Sequence, residues 1–349
     1  MKLLKLLLYP FVPVYYLIIT LRNLFFDKNI FKIQSVDAKV YSVGNLTIGG
    51  SGKTPLVIYL ADLLKNNGKK VAVLSRGYAR KSKGYLLVSD GEKIFTSVRE
   101  SGDEIYHTVL ECKVPAAVCE DRILGAKNLI RDIKAEEIIL DDGFQHRWIN
   151  RDINLVIFER KFLVHDKFFA HSLLPGGNMR EPLSSLKRAD AIVINRKFSK
   201  NEDIPEKKKK YFKDKKVFTA YYQALRFVDI VKRDEYSLKD FEGQKSLVVS
   251  GIAKPVSFLN ALTQNNINIS NRIVFRDHKD YTLKEVQHIR KQFYATNSHS
   301  VVTTEKDAVK LMNFARELDD LDIFYLMIKL NMDDPESFKQ FILGKTLVK

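Results

Sequence analysis

Short apolar runs alternate with helical patterns along most of this chain. Runs of four or five apolar residues predict buried strands, and apolar residues that recur every three or four positions predict helices. Strands are predicted at residues 40–43, 71–74, 114–118, 138–140, 155–158 and 191–194, with helices at residues 56–64 and 122–133 between them. This alternation is typical of a mainly parallel sheet with helices on both faces, so we predict a doubly wound α/β domain.

A second series of the same kind follows a region that is dense in charge. Residues 199–216 include four consecutive lysines, which is typical of a solvated helix face or of a loop near a domain boundary. The chain of 349 residues is long enough for two domains. We therefore predict a larger α/β domain at residues 27–222 and a second, smaller α/β domain at residues 223–349. The second series has predicted strands at residues 246–250, 273–275, 300–303 and 323–327, and predicted helices at residues 255–265, 282–294 and 305–318.

The first 26 residues are the most apolar part of the chain. Residues 6–21 carry no charge and are flanked by basic residues on both sides. As a helix this run would span about 24 Å, less than the roughly 30 Å of a bilayer's hydrocarbon core, and Pro10 and Pro13 would interrupt it. We predict a membrane-anchoring segment at residues 1–26, shallow rather than fully spanning. A cleaved signal peptide and a buried core helix are the alternatives.

The charge and cysteine content narrow the possible partners. Lys and Arg number 58 against 42 Asp and Glu, a net charge of +16, which favours an anionic partner such as nucleic acid, anionic lipid or a phosphorylated substrate. Trp148 is the only tryptophan and no nucleic-acid-binding motif is present, so we expect no nucleic acid partner. Cys112 and Cys119 are the only cysteines, which argues against a disulfide framework or a cysteine-rich zinc site.

A glycine-rich segment at residues 44–54 lies between a predicted strand and a predicted helix, which is the position of a phosphate-binding P-loop. Its backbone N–H groups and the start of the helix would hold phosphate oxygens, Lys53 would reach the β and γ phosphates of a nucleotide, and Thr54 would bind Mg²⁺. The strict P-loop pattern has glycine at position 47, where this chain has threonine. The alternative is a glycine-rich turn that only caps a helix. The predicted nucleotide contacts are Thr47, Gly49, Gly50, Ser51, Gly52, Lys53 and Thr54.

A pair of carboxylates follows the predicted strand at residues 138–140. Asp141 and Asp142 would lie at its carboxyl end, the edge at which open α/β sheets bind ligands. Asp-Asp-Gly alone is usually a turn, but together with a P-loop it resembles the carboxylate site that holds Mg²⁺. We predict that at least one of the two binds the metal.

A phosphate-binding loop with a metal site occurs in small-molecule and lipid kinases. Such an enzyme would also need a base near the acceptor hydroxyl. Asp103 and His278 are candidates, although an aspartate that opens a helix is usually an N-cap and a lone histidine is usually structural. A guanine-reading Asn-Lys-x-Asp string is absent from the sequence, since Lys306 and Asp307 are adjacent in the nearest one. Guanine specificity is therefore unsupported.

Several strings, in order along nearly the whole chain, resemble the tetraacyldisaccharide 4′-kinase family of lipid A synthesis. This family has its own version of the P-loop, with threonine where this chain has Thr47. Two positions depart from the family pattern: Lys279 follows His278, where a second histidine is common, and Ile105 follows Glu104, where proline is usual. The matching strings are residues 44–55 (GNLTIGGSGKTP), 75–78 (SRGY), 102–104 (GDE), 141–146 (DDGFQH), 174–176 (LPG), 180–182 (REP), 251–255 (GIAKP), 277–278 (DH) and 302–307 (VTTEKD).

The resemblance implies a reaction and a set of roles. ATP would donate its γ-phosphoryl group to the 4′-hydroxyl of a tetraacyldisaccharide 1-phosphate at the cytoplasmic face of the inner membrane, with no obligate protein partner. Asp103 would be the base, with His278 as its partner. The remaining implied roles are charge neutralisation by Lys53, Mg²⁺ binding by Thr54 with Asp141 or Asp142, and contacts of Arg76, Arg122 and Arg180 with phosphates or the sugar headgroup.

One alternative function uses the same loop and metal site. A membrane-linked P-loop ATPase would hydrolyse ATP to drive a conformational switch and would need no lipid acceptor. Dependence of ATP consumption on the lipid separates the two functions.

Overall fold

The computed structural model describes residues 2–344 except 165–170, 201–202, 253–254, 277–278 and 280. The strands in these residues are β1 (Lys39–Gly44), β2 (Val71–Ser75), β3 (Leu86–Asp90), β4 (Pro115–Val118), β5 (Glu137–Asp141), β6 (Ile153–Glu159), β7 (Ala191–Asn195), β8 (Lys216–Asp229), β9 (Glu235–Tyr236), β10 (Ser246–Ser250), β11 (Asn271–Val274), β12 (Ser300–Thr304) and β13 (Ile323–Met332).

The helices in the described residues are α1 (Lys2–Leu8), α2 (Val12–Asp27), α3 (Lys53–Asn66), α4 (Val98–Ser101), α5 (Asp103–Cys112), α6 (Arg122–Ile133), α7 (Arg160–Val164), α8 (Glu206–Lys209), α9 (Pro255–Gln264), α10 (Leu283–Ala295), α11 (Glu305–Leu311) and α12 (Pro335–Gly344).

The strands form one sheet of mostly parallel neighbours, which confirms the predicted α/β class. Its order is β11-β10-β12-β13-β8-β7-β6-β1-β5-β2-β4-β3, with β9 paired to β8. Antiparallel pairs occur where β3 meets β4 and where β8 meets β13 and β9. Apolar side chains alternate between the two faces of the first-half strands. Val43 contributes to a core packed under α3 and α5, whereas Val40 contributes to the core under α6.

The long strand β8 connects the two halves of this sheet. Its first residues pair in parallel with β7, where Asn195 lies opposite Ala220. Further along, Phe227 lies opposite Leu326 of β13, which itself pairs with Thr304 at the end of β12. The eight residues from Ala220 to Phe227 span about 23 Å of strand. Because β12 runs antiparallel to β7, the carboxyl ends of the two sets of strands face each other across this gap.

The predicted domain boundary between residues 222 and 223 falls inside β8. The sequence did not predict β8, since residues 199–216 read as a charged approach to a boundary and no strand is predicted between residues 194 and 246. Helix α11 is shorter than predicted, because a 3₁₀ turn (Met312–Phe314) follows Leu311. The division of the chain into units at residues 1–26, 27–222 and 223–349 stays a prediction.

The N-terminal helix is longer than the uncharged run that predicts it. Residues 5–27 form a helix long and apolar enough to cross a membrane by length and composition, with a mean hydropathy of 1.3. Pro10 lies in a 3₁₀ turn (Tyr9–Phe11) between α1 and α2, so the predicted interruption is present. At about 35 Å the helix is no longer too short to span a bilayer.

One side of this helix contacts the body and the other side is exposed. Phe26 is buried, with its ring centroid 4.9 Å from that of Trp148, and Arg147 forms an ion pair with Asp27 at 2.7 Å. A row of large apolar side chains faces away from the protein, which is the arrangement of a membrane-associated helix. The exposed row consists of Leu6, Leu7, Phe11, Val14, Leu17, Ile18, Leu21 and Leu24.

Candidate active site

A cleft of about 870 Å³ lies where the carboxyl ends of the two sets of strands face each other. Residues from both halves of the chain line it. Of the residues predicted to act in the site, the cleft is lined by Gly49, Gly50, Ser51, Gly52, Lys53, Thr54, Arg76, Asp103, Arg122, Asp141, Asp142 and Arg180. His278 lies outside the described residues. The roles predicted for these side chains stay predictions.

The glycine-rich loop is held in place by buried polar side chains. The Asn45 amide donates to the Ser51 hydroxyl at 2.8 Å, and the Asn195 amide donates to the Ser51 carbonyl at 3.2 Å. Gly52 has φ +102°, and a Cβ there would lie 2.4 Å from the Asn195 amide nitrogen and 2.5 Å from the Tyr222 hydroxyl. Only glycine fits this position without displacing its neighbours. The loop therefore has a fixed shape immediately before α3 begins at Lys53.

Thr47 does not line the cleft. It is almost buried and forms an antiparallel bridge with Met179, so it fixes the base of the loop to the segment that carries Arg180. The predicted contact of Thr47 with nucleotide has no support from this geometry and stays a prediction.

The two carboxylates after β5 have different surroundings. β1 and β5 are parallel neighbours, so their carboxyl ends bring Lys53 within 3.6 Å of Asp142, which also accepts from Arg180 at 2.8 Å. Burial raises the pKa of Asp142, but the two cations outweigh it and the pKa is lowered. For Asp141, burial together with the Glu104 and Asp142 carboxylates raises the pKa to about 7.

Asp141 has the free coordination that a metal ligand needs. Its carboxylate is buried, and its Oδ1 has no hydrogen-bond partner among the residues that the structure describes. Thr54 lines the same cleft. Within those same residues no group of three or more His, Cys, Asp and Glu side chains is arranged to hold a metal.

Three ion pairs cross the cleft between α5 and α11. Asp103 Oδ2 lies 2.9 Å from Lys310 Nζ, and Glu104 Oε1 lies 2.7 Å from Lys306 Nζ. A third pair joins His107 to Glu305 at 2.8 Å. Burial lowers the pKa of His107, but the adjacent Glu305 carboxylate outweighs this and the pKa is raised. The first turn of α5, which carries the predicted base, is thus fixed against the second half of the chain.

The arginines occupy different depths of the cleft. Arg122 is buried and donates to the Cys119 carbonyl at 2.9 Å, while its Nε has no partner among the described residues. Arg76 is exposed at the cleft rim. Arg22 comes from the N-terminal helix, lines the cleft and donates to the Gln145 carbonyl at 2.6 Å. The exposed apolar helix therefore lies directly beside the cleft.

Sequence reasoning missed most of the second half's contribution. The string at residues 302–307 resembles the family, but the sequence predicts no role for it. Its position at the carboxyl end of a predicted strand, immediately before a predicted helix, is the signal that could have placed it in the site. The lining residues without a predicted role include Arg22, Glu104, His107, Gln145, His146, Tyr222, Glu305, Lys306, Asp307 and Lys310.

Comparisons with known proteins show which family this chain resembles. A family model described as tetraacyldisaccharide-1-P 4′-kinase matches residues 4–347. The tetraacyldisaccharide 4′-kinase of Aquifex aeolicus (strain VF5) is 35% identical over 338 residues, 96% of this chain and 97% of that protein. The same enzyme of Pelodictyon phaeoclathratiforme is 34% identical over 360 residues, 99% of this chain and 98% of that protein.

A solved structure is similar over the same extent. The "apo" form of LpxK from Aquifex aeolicus in complex with ATP has a TM-score of 0.79 and 33% identity to this chain. The match covers 99% of this chain and 100% of that one. The chain therefore belongs to the tetraacyldisaccharide-1-P 4′-kinase family.

Proposed function

We propose that the cleft transfers the γ-phosphoryl group of ATP to the 4′-hydroxyl of a tetraacyldisaccharide 1-phosphate in lipid A synthesis. The observation that carries this proposal is that a rigid glycine-rich loop, Lys53, the Asp141–Asp142 pair and Asp103 line one cleft. Membership of the 4′-kinase family supports the acceptor, and the solved relative in complex with ATP supports the donor.

We infer that residues 44–54 act as a P-loop in a P-loop NTPase-like fold, at residues 27–222. The loop follows β1 and precedes α3, so its backbone N–H groups and the helix N-terminus favour phosphate oxygens. Lys53 is now paired with Asp142 and would turn to the β and γ phosphates of bound ATP. Residues 223–349 would form the smaller unit that closes the other side of the cleft.

The residues present fit Mg²⁺. Asp141 offers a buried carboxylate oxygen without a partner in the described part of the chain, and Thr54, which carries a hydroxyl, lines the same cleft. Asp142 stands next in sequence and lies under the Lys53 and Arg180 cations. When bound, the metal would neutralise charge on the phosphates. We assign Thr54 and Asp141 as protein ligands, with Asp142 as a second carboxylate able to join them.

The transfer itself needs a positioned base and a held phosphoryl group. The 4′-oxygen attacks the γ-phosphorus, the bond from that phosphorus to the β–γ bridging oxygen breaks, and ADP leaves. Asp103 would accept the hydroxyl proton, with His278 as its partner. Lys53 would neutralise the charge that develops on the transferring group. Arg76, Arg122 and Arg180 would hold phosphate or sugar oxygens of the two substrates.

The N-terminal helix explains how a lipid substrate reaches this cleft. Acyl chains stay in the bilayer because each buried CH₂ is worth about 0.8 kcal/mol. We place the exposed apolar row of α1 and α2 in the cytoplasmic face of the inner membrane, as a membrane-anchoring segment at residues 1–26. Arg22 of the same helix lines the cleft, so the headgroup would meet the active site at the membrane surface.

The experiment that tests the function is direct. The full chain is incubated in lipid–detergent micelles with ATP, Mg²⁺ and tetraacyldisaccharide 1-phosphate, and the product is analysed by mass and by the position of the new phosphate. We expect a 4′-phosphate and an equal amount of ADP. Asp103→Asn should lower the rate at least about a hundredfold, whereas Asp319→Asn, at an exposed carboxylate outside the cleft lining, should not change it.

Two results would overturn the proposal. ADP formation at the same rate with and without the lipid would indicate an ATPase rather than a kinase. A phosphate at a position other than the 4′-oxygen would show that the acceptor is wrong.

A further inference from the structure

Lys310 lies between the predicted base and the segment that carries its predicted partner. Its ammonium is 2.9 Å from Asp103 Oδ2 and donates to the Lys279 carbonyl at 3.4 Å. Lys279 directly follows His278 in the sequence. One side chain of α11 therefore contacts both α5 and residue 279, two segments that are far apart in the chain.

The side chains of this contact are shielded from water. The side chain of Lys310 is 12% exposed and that of Asp103 is 7% exposed. A charge pair in such surroundings is screened little and has a narrow range of geometries, unlike a pair on the open surface. Lys310 can therefore determine where the Asp103 carboxylate points.

Helix α11 is itself fixed to both neighbouring loops. Asp307 accepts hydrogen bonds from the Gly251 N–H at 2.9 Å, from the Tyr281 hydroxyl at 3.0 Å and from the Thr304 hydroxyl at 2.7 Å. Tyr281 lies two residues beyond Lys279, and each of these two residues contacts α11. Lys310 thus extends from a rigid support rather than from a free helix end.

We propose that Lys310 is a positioning residue for the phosphoryl transfer: it pairs with Asp103, directs its carboxylate into the cleft and keeps residue 279 beside it. This inference rests on the proposed function, in which Asp103 is the base. Lys310 touches neither the phosphoryl group nor the acceptor in this account, so it acts through Asp103. Lys306 has a similar place beside Glu104, but no contact joins it to residues 279–281 in the described structure.

The test combines two substitutions and a matched control. Lys310→Met removes the charge and keeps much of the side-chain volume, whereas Lys310→Arg keeps the charge. Lys284→Met makes the same chemical change at an exposed lysine of α10 outside the cleft lining. For each protein we would measure kcat across pH, the ATP dissociation constant and the melting temperature.

We expect Lys310→Met to lower kcat about tenfold to a hundredfold, since small misplacements of a reacting group have effects of this size. Its acid limb in the pH profile of kcat should move up by about one pH unit, because an adjacent cation favours the ionised carboxylate. Lys310→Arg should restore most of both quantities, and Lys284→Met should match the wild type. Charged groups that line the same cleft as Asp103 include Lys53, Arg76, Glu104, His107, Arg122, Asp141, Asp142, Glu305, Lys306, Asp307 and Lys310, and His278 lies outside the described residues.

The outcomes separate this inference from the proposed function. If the wild type phosphorylates the lipid and Lys310→Met leaves the acid limb unmoved, the inference is wrong, even if the melting temperature falls. A lower kcat with an unmoved limb would show a structural role only. If the wild type phosphorylates no lipid, the proposed function fails first, and the role of Lys310 in it fails with it.

Discussion

The substitution Gly52→Ala tests whether the shape of the glycine-rich loop is set by its surroundings. Gly52 has φ +102°, which side chains with a Cβ rarely adopt. A Cβ there would also lie 2.4 Å from the Asn195 amide and 2.5 Å from the Tyr222 hydroxyl. Asn195 cannot move easily, since its amide donates to the Ser51 carbonyl and its side-chain oxygen accepts from the Lys197 N–H at 2.8 Å.

The size of the effect follows from these two costs. A residue with a Cβ in left-handed backbone costs about 1–2 kcal/mol, and an extra methyl group forced into packed surroundings costs about 1–3 kcal/mol. The total of about 2–5 kcal/mol is lost from folding if the loop keeps its shape. If the loop moves instead, the cost appears in ATP binding. The lower limit of about 2 kcal/mol then corresponds to a roughly 30-fold larger dissociation constant for ATP.

Both quantities are measured on the same protein. The ATP dissociation constant comes from calorimetry, and the free energy of unfolding comes from denaturant titration without ATP. Gly68→Ala is the matched control, because Gly68 has φ +74° but no atom within 4 Å of an added Cβ. It should show only the backbone cost and normal ATP binding. If Gly52→Ala behaved like Gly68→Ala in both measurements, the contacts with Asn195 and Tyr222 would not constrain the loop.

Three further predictions concern charge, pH and the membrane. Lys53→Ala should lower kcat for lipid phosphorylation about 100- to 1,000-fold at saturating ATP, because it removes charge stabilisation in the transition state; a decrease below tenfold would contradict this role. Burial, with Arg122 nearby, lowers the pKa of His146 from 6.5 to about 4, so the unfolded chain binds its proton more readily and stability falls as pH falls from 6.5 towards 4. His146→Gln should remove about 2 kcal/mol of that decrease, allowing for the partial exposure of the side chain. If the denaturant midpoints of the wild type and the variant fell by the same amount as the pH was lowered from 7.5, this prediction would be wrong. The double substitution of Leu17 and Ile18, each 57% exposed, by aspartate should weaken sedimentation with anionic vesicles at least about tenfold, whereas unchanged sedimentation would place the membrane contact elsewhere.

Some elements could be predicted from the sequence because each has a local cause. The helix at Arg122–Ile133 has the predicted bounds, since its apolar period is regular and Asp121 caps its first N–H groups. The strand Ser246–Ser250 is buried throughout and reads as a continuous apolar run with serine ends. β8 could not be predicted in this way, because its exposure changes along its length as its partner changes from β7 to β13.

The residues of the candidate site also divide into those that the sequence predicts and those that it does not. Gly52, Lys53 and Asp141 can be recognised from the sequence alone, because the spacing of the glycine-rich motif and the ends of predicted strands mark them as site residues. Lys310 gives no such signal, since a lysine near the end of a short helix is usually solvated. Its contact with Asp103 depends on the antiparallel pairing of β8 with β13, which turns the second half of the sheet to face the first. Pairing between distant strands is not encoded in a local pattern.

The charges of the cleft also imply that nucleotide binding depends on a divalent cation. Lys53 and Arg180 are both paired with Asp142, so neither cation is available to a triphosphate while that carboxylate is unneutralised. A bare triphosphate would also meet the Asp141 carboxylate at close range, and like charges repel strongly in a site with little water. A divalent cation beside Asp141 and Asp142 removes both obstacles at once. ATP and Mg²⁺ should therefore bind together, and chelating the metal should weaken ATP binding at least about tenfold in calorimetry, a change of about 1.4 kcal/mol. Equal affinities with and without chelator would show that the pairing with Asp142 does not compete with phosphate.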